Sequence, residues 1–268
     1  MPEMTVLIPT YNRLTALVAT LSALAFQSYK PFKIFIADQS DEPIVCSLHF
    51  QSIVRFLEHK GITVCVKPNL PRRGIAHQSQ FLLDQVDTPY CLFLGDDVLL
   101  EPFALRNMIE TLKREGCGFV GNAVIGLSYK ADERPHQQHI ELWNGPVQPE
   151  YITPASKAWE RYQLHNAANL WHVQEKLGVT PDNPQTYKVA WVGGCVMFDT
   201  AKLRDVGGFS FWTELPPQHA GEDVLVQLRV MKKYGGCGVM PSGAYHQELP
   251  TTIPQSERKV DAPKCLAI

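Results

Sequence analysis

The first half of this chain alternates short apolar runs with helix-forming stretches, and that alternation limits it more than any other feature. Thr5-Val-Leu-Ile-Pro-Thr10 precedes a helical stretch from Leu14 to Phe26. Lys33-Ile-Phe-Ile-Ala37 precedes a second helical stretch from Ile44 to Lys60, which Gly61 stops. Ile62-Thr-Val-Cys-Val-Lys67 leads through a Pro- and Arg-rich loop to a third, Gly74 to Val86. Pro89-Tyr-Cys-Leu-Phe-Leu94 is apolar throughout, as a central strand would be, and Pro102 suits the first turn of the next helix. Strand and helix in turn imply a parallel sheet covered on both faces. Such sheets bind ligands beyond the carboxyl ends of their strands. Polar clusters fall there: Thr10 to Arg13, Asp38 to Asp41, and Asp96-Asp97. Any one of them can be a helix cap; together they mark one edge.

The alternation needs a core, and the composition supplies it. The chain has 268 residues, 45% of them hydrophobic, and a net charge of -2, which excludes disorder as the main state. With 25 basic against 27 acidic residues, a strongly cationic nucleic-acid binder is disfavoured, while a local basic patch stays open. No run approaches the roughly 18 apolar residues of a membrane helix, although peripheral membrane contact leaves no such mark. Seven cysteines without a CxxC pair read as reduced thiols, and the N-terminus lacks the basic and apolar regions of a signal peptide. Cytoplasm is the expected compartment. No GxGxxG, P-loop or nucleophile elbow follows a strand.

The second half is less regular. Residues 128–183 are rich in His, Gln, Trp, Tyr and Pro, and Lys157 to Lys176 is their best helical stretch. Lys188 to Asp199 has the pattern of a strand broken at Gly193-Gly194, and Gly221-Glu-Asp223 opens a helix reaching Tyr234. A last strand near Gly238 leads to Tyr245-His246, and from Leu249 onward a loop or loose end is expected.

Asp96-Asp97 is the strongest chemical signal. Two carboxylates ending a buried strand need a positive partner, and magnesium or manganese suits oxygen ligands. Glu222-Asp223 can cap its helix, or one of the two can act as general base. His246 is either structural or a metal ligand. Arg72-Arg73-Gly74, before a helix, can bind phosphate or lie in solvent.

The segments Val6-Leu-Ile-Pro-Thr-Tyr-Asn-Arg13, Ile36-Ala-Asp-Gln-Ser40, Tyr90-Cys-Leu-Phe-Leu-Gly-Asp-Asp97, Gly193-Gly194, Val206-Gly-Gly-Phe209 and Gly221-Glu-Asp223 stand in an order that resembles the family 2 glycosyltransferases. The resemblance implies a GT-A fold: a single Rossmann-like domain with a mainly parallel central sheet flanked by helices. It would span 1–248, with a donor half to 125, an acceptor half containing the 128–183 insertion, and a tail from 249. It implies an inverting transfer of sugar from a nucleotide diphosphate sugar, UDP-sugar favoured, to a saccharide or other hydroxyl acceptor. Pro9, Thr10, Tyr11, Arg13 and Asp38 would hold the nucleotide, with Arg73 and Gly74 also in donor binding. Asp96 would take the ribose or a metal-bound water, Asp97 and His246 a Mn2+ or Mg2+ ion, and Asp223 the acceptor proton, assisted by Glu222. The sequence departs from the family where Gly95 replaces a common acid and where Asp38-Gln-Ser replaces Asp-Gly-Ser. The alternatives are a nucleotidyltransferase and an inactive nucleotide-sugar binding module. Trp143, Trp159 and Trp171 would shape the acceptor side.

Overall fold

A computed structural model describes residues 2–251 and 260–268. The strands are β1 (Met4–Thr10), β2 (Phe32–Asp38), β3 (Val64–Pro68), β4 (Tyr90–Leu94), β5 (Val98–Leu100), β6 (Phe119–Gly121), β7 (Gln185–Tyr187), β8 (Cys195–Asp199), β9 (His219–Ala220), β10 (Gly236–Met240), β11 (Ala244–His246) and β12 (Val260–Asp261). The helices are α1 (Leu14–Ala25), α2 (Leu48–His59), α3 (Ile75–Asp84), α4 (Ala104–Glu115), α5 (Asn169–Leu177), α6 (Thr200–Asp205), α7 (Glu222–Tyr234) and α8 (Ala262–Cys265).

The main sheet runs β3-β2-β1-β4-β8-β6-β10-β7. β1 to β4 are mutually parallel, β10 is parallel to β6, and β8 and β7 run against their neighbours. Alternate side chains of each strand point to opposite faces. Val6, Ile8, Ile34, Ile36, Leu92 and Leu94 therefore meet α1, α2 and α4 on one face, through residues such as Leu17, Leu21, Leu57 and Met108. Leu7, Phe35 and Cys91 meet α3 and α7 on the other, through Leu82, Val226 and Val230. Burial of both faces is why these strands read as continuous apolar runs.

Several expectations change. The helix expected from Ile44 to Lys60 is a 3-10 turn, Ile44–Cys46, then α2, because Ser47 stays extended and its side chain accepts from Phe50 N–H to cap α2. Lys157 to Lys176 is also split, into a 3-10 run, Lys157–His165, and α5; Ala167 between them has a φ of 52°. Only Cys195–Asp199 of the expected broken strand is a strand, since Gly194 turns the chain with a φ of 76°. The end of the chain is not wholly loose. β12 pairs with β9, α8 packs on α7, and Ala262 is buried. Among the described residues no helix is long and apolar enough to cross a membrane.

Candidate functional site

The carboxyl ends of β1, β2 and β4 lie at one edge, where the register sets Thr10 beside Asp38. Cys195, the first residue of antiparallel β8, lies beside Leu94 there. Gln78, buried in α3, donates to Ala37 O at 2.8 Å and to Thr10 O at 3.4 Å, so it ties α3 to the ends of β1 and β2.

The first two loops are laced together. Asn12, with a φ of 53°, donates from its backbone to Ser40 Oγ and from Nδ2 to Asp41, whose N–H donates back to Asn12 Oδ1. Asp38 is 6% exposed, and its two oxygens accept from Ser40 N–H and Ile44 N–H, both at 2.9 Å. It folds its own loop and keeps one lone pair per oxygen. The Arg72 guanidinium lies 4.4 Å from the Tyr11 ring centre and 3.1 Å from Asp41. Arg73 instead faces the Trp212 ring, so Arg72 is the arginine beside the Tyr11 loop. Gly74 has a φ of 93°, and a Cβ there would come within 2.7 Å of Pro217 O and His219 Cε1. His219 closes this contact, accepting at Nε2 from Ala76 N–H and donating from Nδ1 to Pro216 O.

The acid doublet is almost buried, Asp96 at 8% and Asp97 at 7% exposure. Thr10 Oγ1 donates to Asp96 Oδ2 at 2.7 Å, and Thr20 Oγ1 donates to Asp96 O. Arg13 donates to Asp97 Oδ2 and stands 3.6 Å from Asp96 Oδ1. Its other terminal nitrogen donates to Pro250 O. β5, the strand the sequence hid, follows the doublet and pairs with β11, which sets His246 against Val98. His246 Nε2 is thereby 3.4 Å from Asp97 Oδ2.

Burial pushes the Asp96 carboxyl up to about 6, and the neighbouring Asp97 adds to this while Thr10 and Arg13 oppose it. The native state thus binds more protons than the unfolded chain between the ordinary value near 3.8 and about 6. Stability from this group is full below that window and is lost as pH rises through it. Asp96→Asn is expected to raise the thermal midpoint at pH 8, by the order of 2 kcal/mol of stability, with the gain shrinking towards pH 4. Calorimetric melts of both proteins across that range check it.

As a cation site this edge offers one donor pair at suitable spacing, Asp97 and His246. Octahedral bonds of about 2.1 Å put neighbouring donors about 3 Å apart, close to the Asp97–His246 separation. His246 Nδ1 accepts from Glu248 N–H at 2.7 Å, so its neutral ring carries the proton on Nε2. Arg13 supplies the positive charge. Among the described residues no three His, Cys, Asp or Glu side chains converge as a metal site.

A pocket of about 140 Å³ opens at the same edge. Pro9, Gly95 and Gly194 line it with Glu222, Asp223 and Gln227 of α7. It brings the end of β4 and the expected base onto one cavity. Asp223 Oδ1 accepts from Val224 N–H. Gly221 starts α7 with a φ of 77°, and a Cβ there would lie 2.7 Å from Pro263 Cδ, so the C-terminal segment seats on the start of this helix.

Sequence reasoning missed Gln227, whose one signal is an amide inside the apolar run Val224-Leu-Val-Gln-Leu228. It is 0% exposed. Its amide donates to Val192 O and Asp223 O and accepts from Val192 N–H, at 2.8 to 2.9 Å. That clasp holds the Trp191–Gly194 crossing to α7. Gln227→Leu strands buried backbone groups and is expected to cost about 3 kcal/mol in urea unfolding.

Comparison with known proteins agrees with this fold. No curated relative matches the sequence. A mannosyltransferase from Pyrobaculum calidifontis, solved with GDP-Man and Mn2+, is similar over 95% of this chain and 58% of its own, with a TM-score of 0.56 and 16% identity. TarS of S. aureus, residues 1–349, solved with UDP-GlcNAc, is similar over 94% of this chain and 60% of its own, with a TM-score of 0.55 and 14% identity. Another structure of S. aureus TarS, at 16% identity and a TM-score of 0.54, is covered over 36% of its length and covers 92% of this chain. This chain therefore spans 36% to 60% of these structures, and at such identities the likeness shows the fold. The profile of Glycosyl transferase family 2 matches residues 5–172, ending before Glu222, Asp223 and His246. With that match over more than half its length and the mainly parallel GT-A architecture described above, the chain belongs to glycosyl transferase family 2.

Proposed function

We propose that this chain transfers a sugar from a nucleotide diphosphate sugar to an acceptor hydroxyl with inversion at the anomeric carbon. The observation that carries the reading is one sheet edge bearing both the Asp96–Asp97 doublet and the pocket that holds Glu222 and Asp223.

Tyr11 offers a face for the base, with Arg72 as its present cover. Asp38 has an open lone pair on each oxygen for the nucleoside. Pro9 and Thr10 shape the floor. Arg13, Arg73 and the N-terminus of α3 at Gly74 favour the anionic diphosphate. Asp97 and His246 would hold a Mn2+ or Mg2+ ion, and Asp96 the ribose or a water of that ion. When bound, the ion neutralises charge on the departing diphosphate. Asp223 takes the proton from the acceptor hydroxyl as that oxygen attacks the anomeric carbon. Glu222 assists or touches the acceptor. One displacement then gives inverted product without a covalent enzyme intermediate.

Two similar structures were solved with donors, one of uridine and one of guanosine. UDP-sugars are the first to test here, because the Asp38 carboxylate can accept from a uracil-type N–H. The acceptor side is the 128–183 region. There Tyr162 stacks on Trp191 with rings 6.3 Å apart, while Trp143 and Trp171 lie under Lys188 and Lys130. A thermal-shift screen of nucleotide sugars with and without Mn2+ tests the reading. One nucleotide class should raise the midpoint, and more so with the metal. Release of nucleoside diphosphate, without pyrophosphate, separates sugar transfer from nucleotidyl transfer. No shift with any nucleotide sugar, or no nucleoside diphosphate released, would defeat it.

A further inference from the structure

We propose that Arg13 and a divalent cation exchange on Asp97, so that loading the metal unlatches the segment from Glu248 to Pro250. This rests on the reading of Asp97 and His246 as metal donors, and it adds a regulation of that site by the chain itself. Arg13 Nη1 donates to the same Asp97 oxygen, Oδ2, that faces His246 Nε2. The guanidinium also lies 3.6 Å from Asp96 Oδ1, between the two carboxylates. A metal bonded to Oδ2 would set a second cation on the oxygen that already takes the Arg13 donor, so the two charges repel and each weakens the other's hold on Asp97. Arg13 has only 15% of its side chain exposed, so it needs another acceptor or a path to solvent when it leaves.

Two bonds carry that exchange to the same segment. The second terminal nitrogen of Arg13 donates to Pro250 O, and this bond goes when the guanidinium moves. His246 Nδ1 accepts from Glu248 N–H. For Nε2 to bind a metal, the ring proton must pass to Nδ1, which then cannot accept from Glu248. Glu248 sits at a φ of 57°, in the left-handed region that a non-glycine residue adopts only when held. Its carboxylate accepts from Ser128 N–H and Oγ, while His246 holds its amide. Gln247 stays anchored, N–H to Asp97 O and Nε2 to Ala16 O, so it is the pivot. Metal at Asp97 thus removes both the Arg13–Pro250 and the His246–Glu248 tethers. The freed arginine is then available to an anionic ligand beside the metal.

The test is Mn2+ titration calorimetry of the full chain without nucleotide, with Arg13→Met and Asp97→Asn, and amide exchange of wild type with and without Mn2+. Arg13→Met keeps the length of the side chain and removes its charge. The expected result is Mn2+ binding that is roughly tenfold or more tighter in Arg13→Met than in wild type, within the range of coupled neighbouring sites. It should be lost in Asp97→Asn. Mn2+ should also speed exchange of the Glu248 amide in wild type, a readout that does not depend on how the variant folds. Equal or weaker binding in Arg13→Met, or unchanged exchange under saturating Mn2+, overturns the exchange while leaving the metal reading intact. Absence of Mn2+ binding to wild type and Arg13→Met alike overturns both.

Discussion

Asp223→Asn is expected to lower the turnover number by about a thousandfold, within the usual range for losing a general base, while donor affinity stays within about twofold. Asn keeps the shape of Asp223 and can still accept from Val224 N–H, so the first turn of α7 survives. What it loses is the ability to take a proton. The Asp223 backbone is held independently through its carbonyl by the buried Gln227 amide. The loss should therefore appear in turnover and not in donor KM, which is the signature of an interaction made in the transition state. The measurement is initial rate of nucleoside diphosphate release with acceptor present, beside calorimetric donor binding. Near-normal turnover would remove Asp223 from the base role and leave Glu222 as the carboxylate to examine.

Asp97→Ala is expected to abolish the metal-dependent part of donor binding, a fall of a hundredfold or more for a lost charged metal ligand (of the order of 3 kcal/mol). Asp97 is buried beside Asp96, His246 and Arg13, and no other carboxylate oxygen in the described residues lies against His246 within ion-pair reach. Removing it also leaves Arg13 with Asp96 as its acidic neighbour, so nucleotide binding without metal should persist or improve. Calorimetry of donor with and without Mn2+ distinguishes these parts. If Mn2+ strengthens donor binding equally in Asp97→Ala and wild type, Asp97 is not the metal carboxylate.

Much of the fold was legible because its strands are buried on both faces, so that Val6-Leu-Ile8 and Leu92-Phe-Leu94 had no polar alternation to confuse them. The position of the acids was legible for the same reason: they follow such runs at once. The rest was hidden by scale and by distance. β5 and β11 are three residues each, too short for a periodic signal, yet their pairing is what brings His246 to Asp97. The roles of Arg72 and Arg73 depend on which neighbour each meets after a loop, Tyr11 or Trp212, and no local pattern encodes that. Gln227 is one amide in an apolar run, and nothing local says that its partner is Val192. Ala167 broke an otherwise good helix through a left-handed backbone that alanine rarely adopts, so propensity gave no warning.

The β5–β11 pairing also bears on how the molecule is made. The residues that end β1, β2 and β4 all precede α4, whereas β11, which pairs with the strand after the acid doublet, follows β10. On a ribosome the loops that follow β1, β2 and β4 therefore emerge long before the strand that places His246. A nascent chain arrested before Ala244 can build the parallel strands but has nothing to fasten beside Val98. His246 thus reaches Asp97 only after β11 has emerged, and contacts of such long sequence separation tend to form slowly.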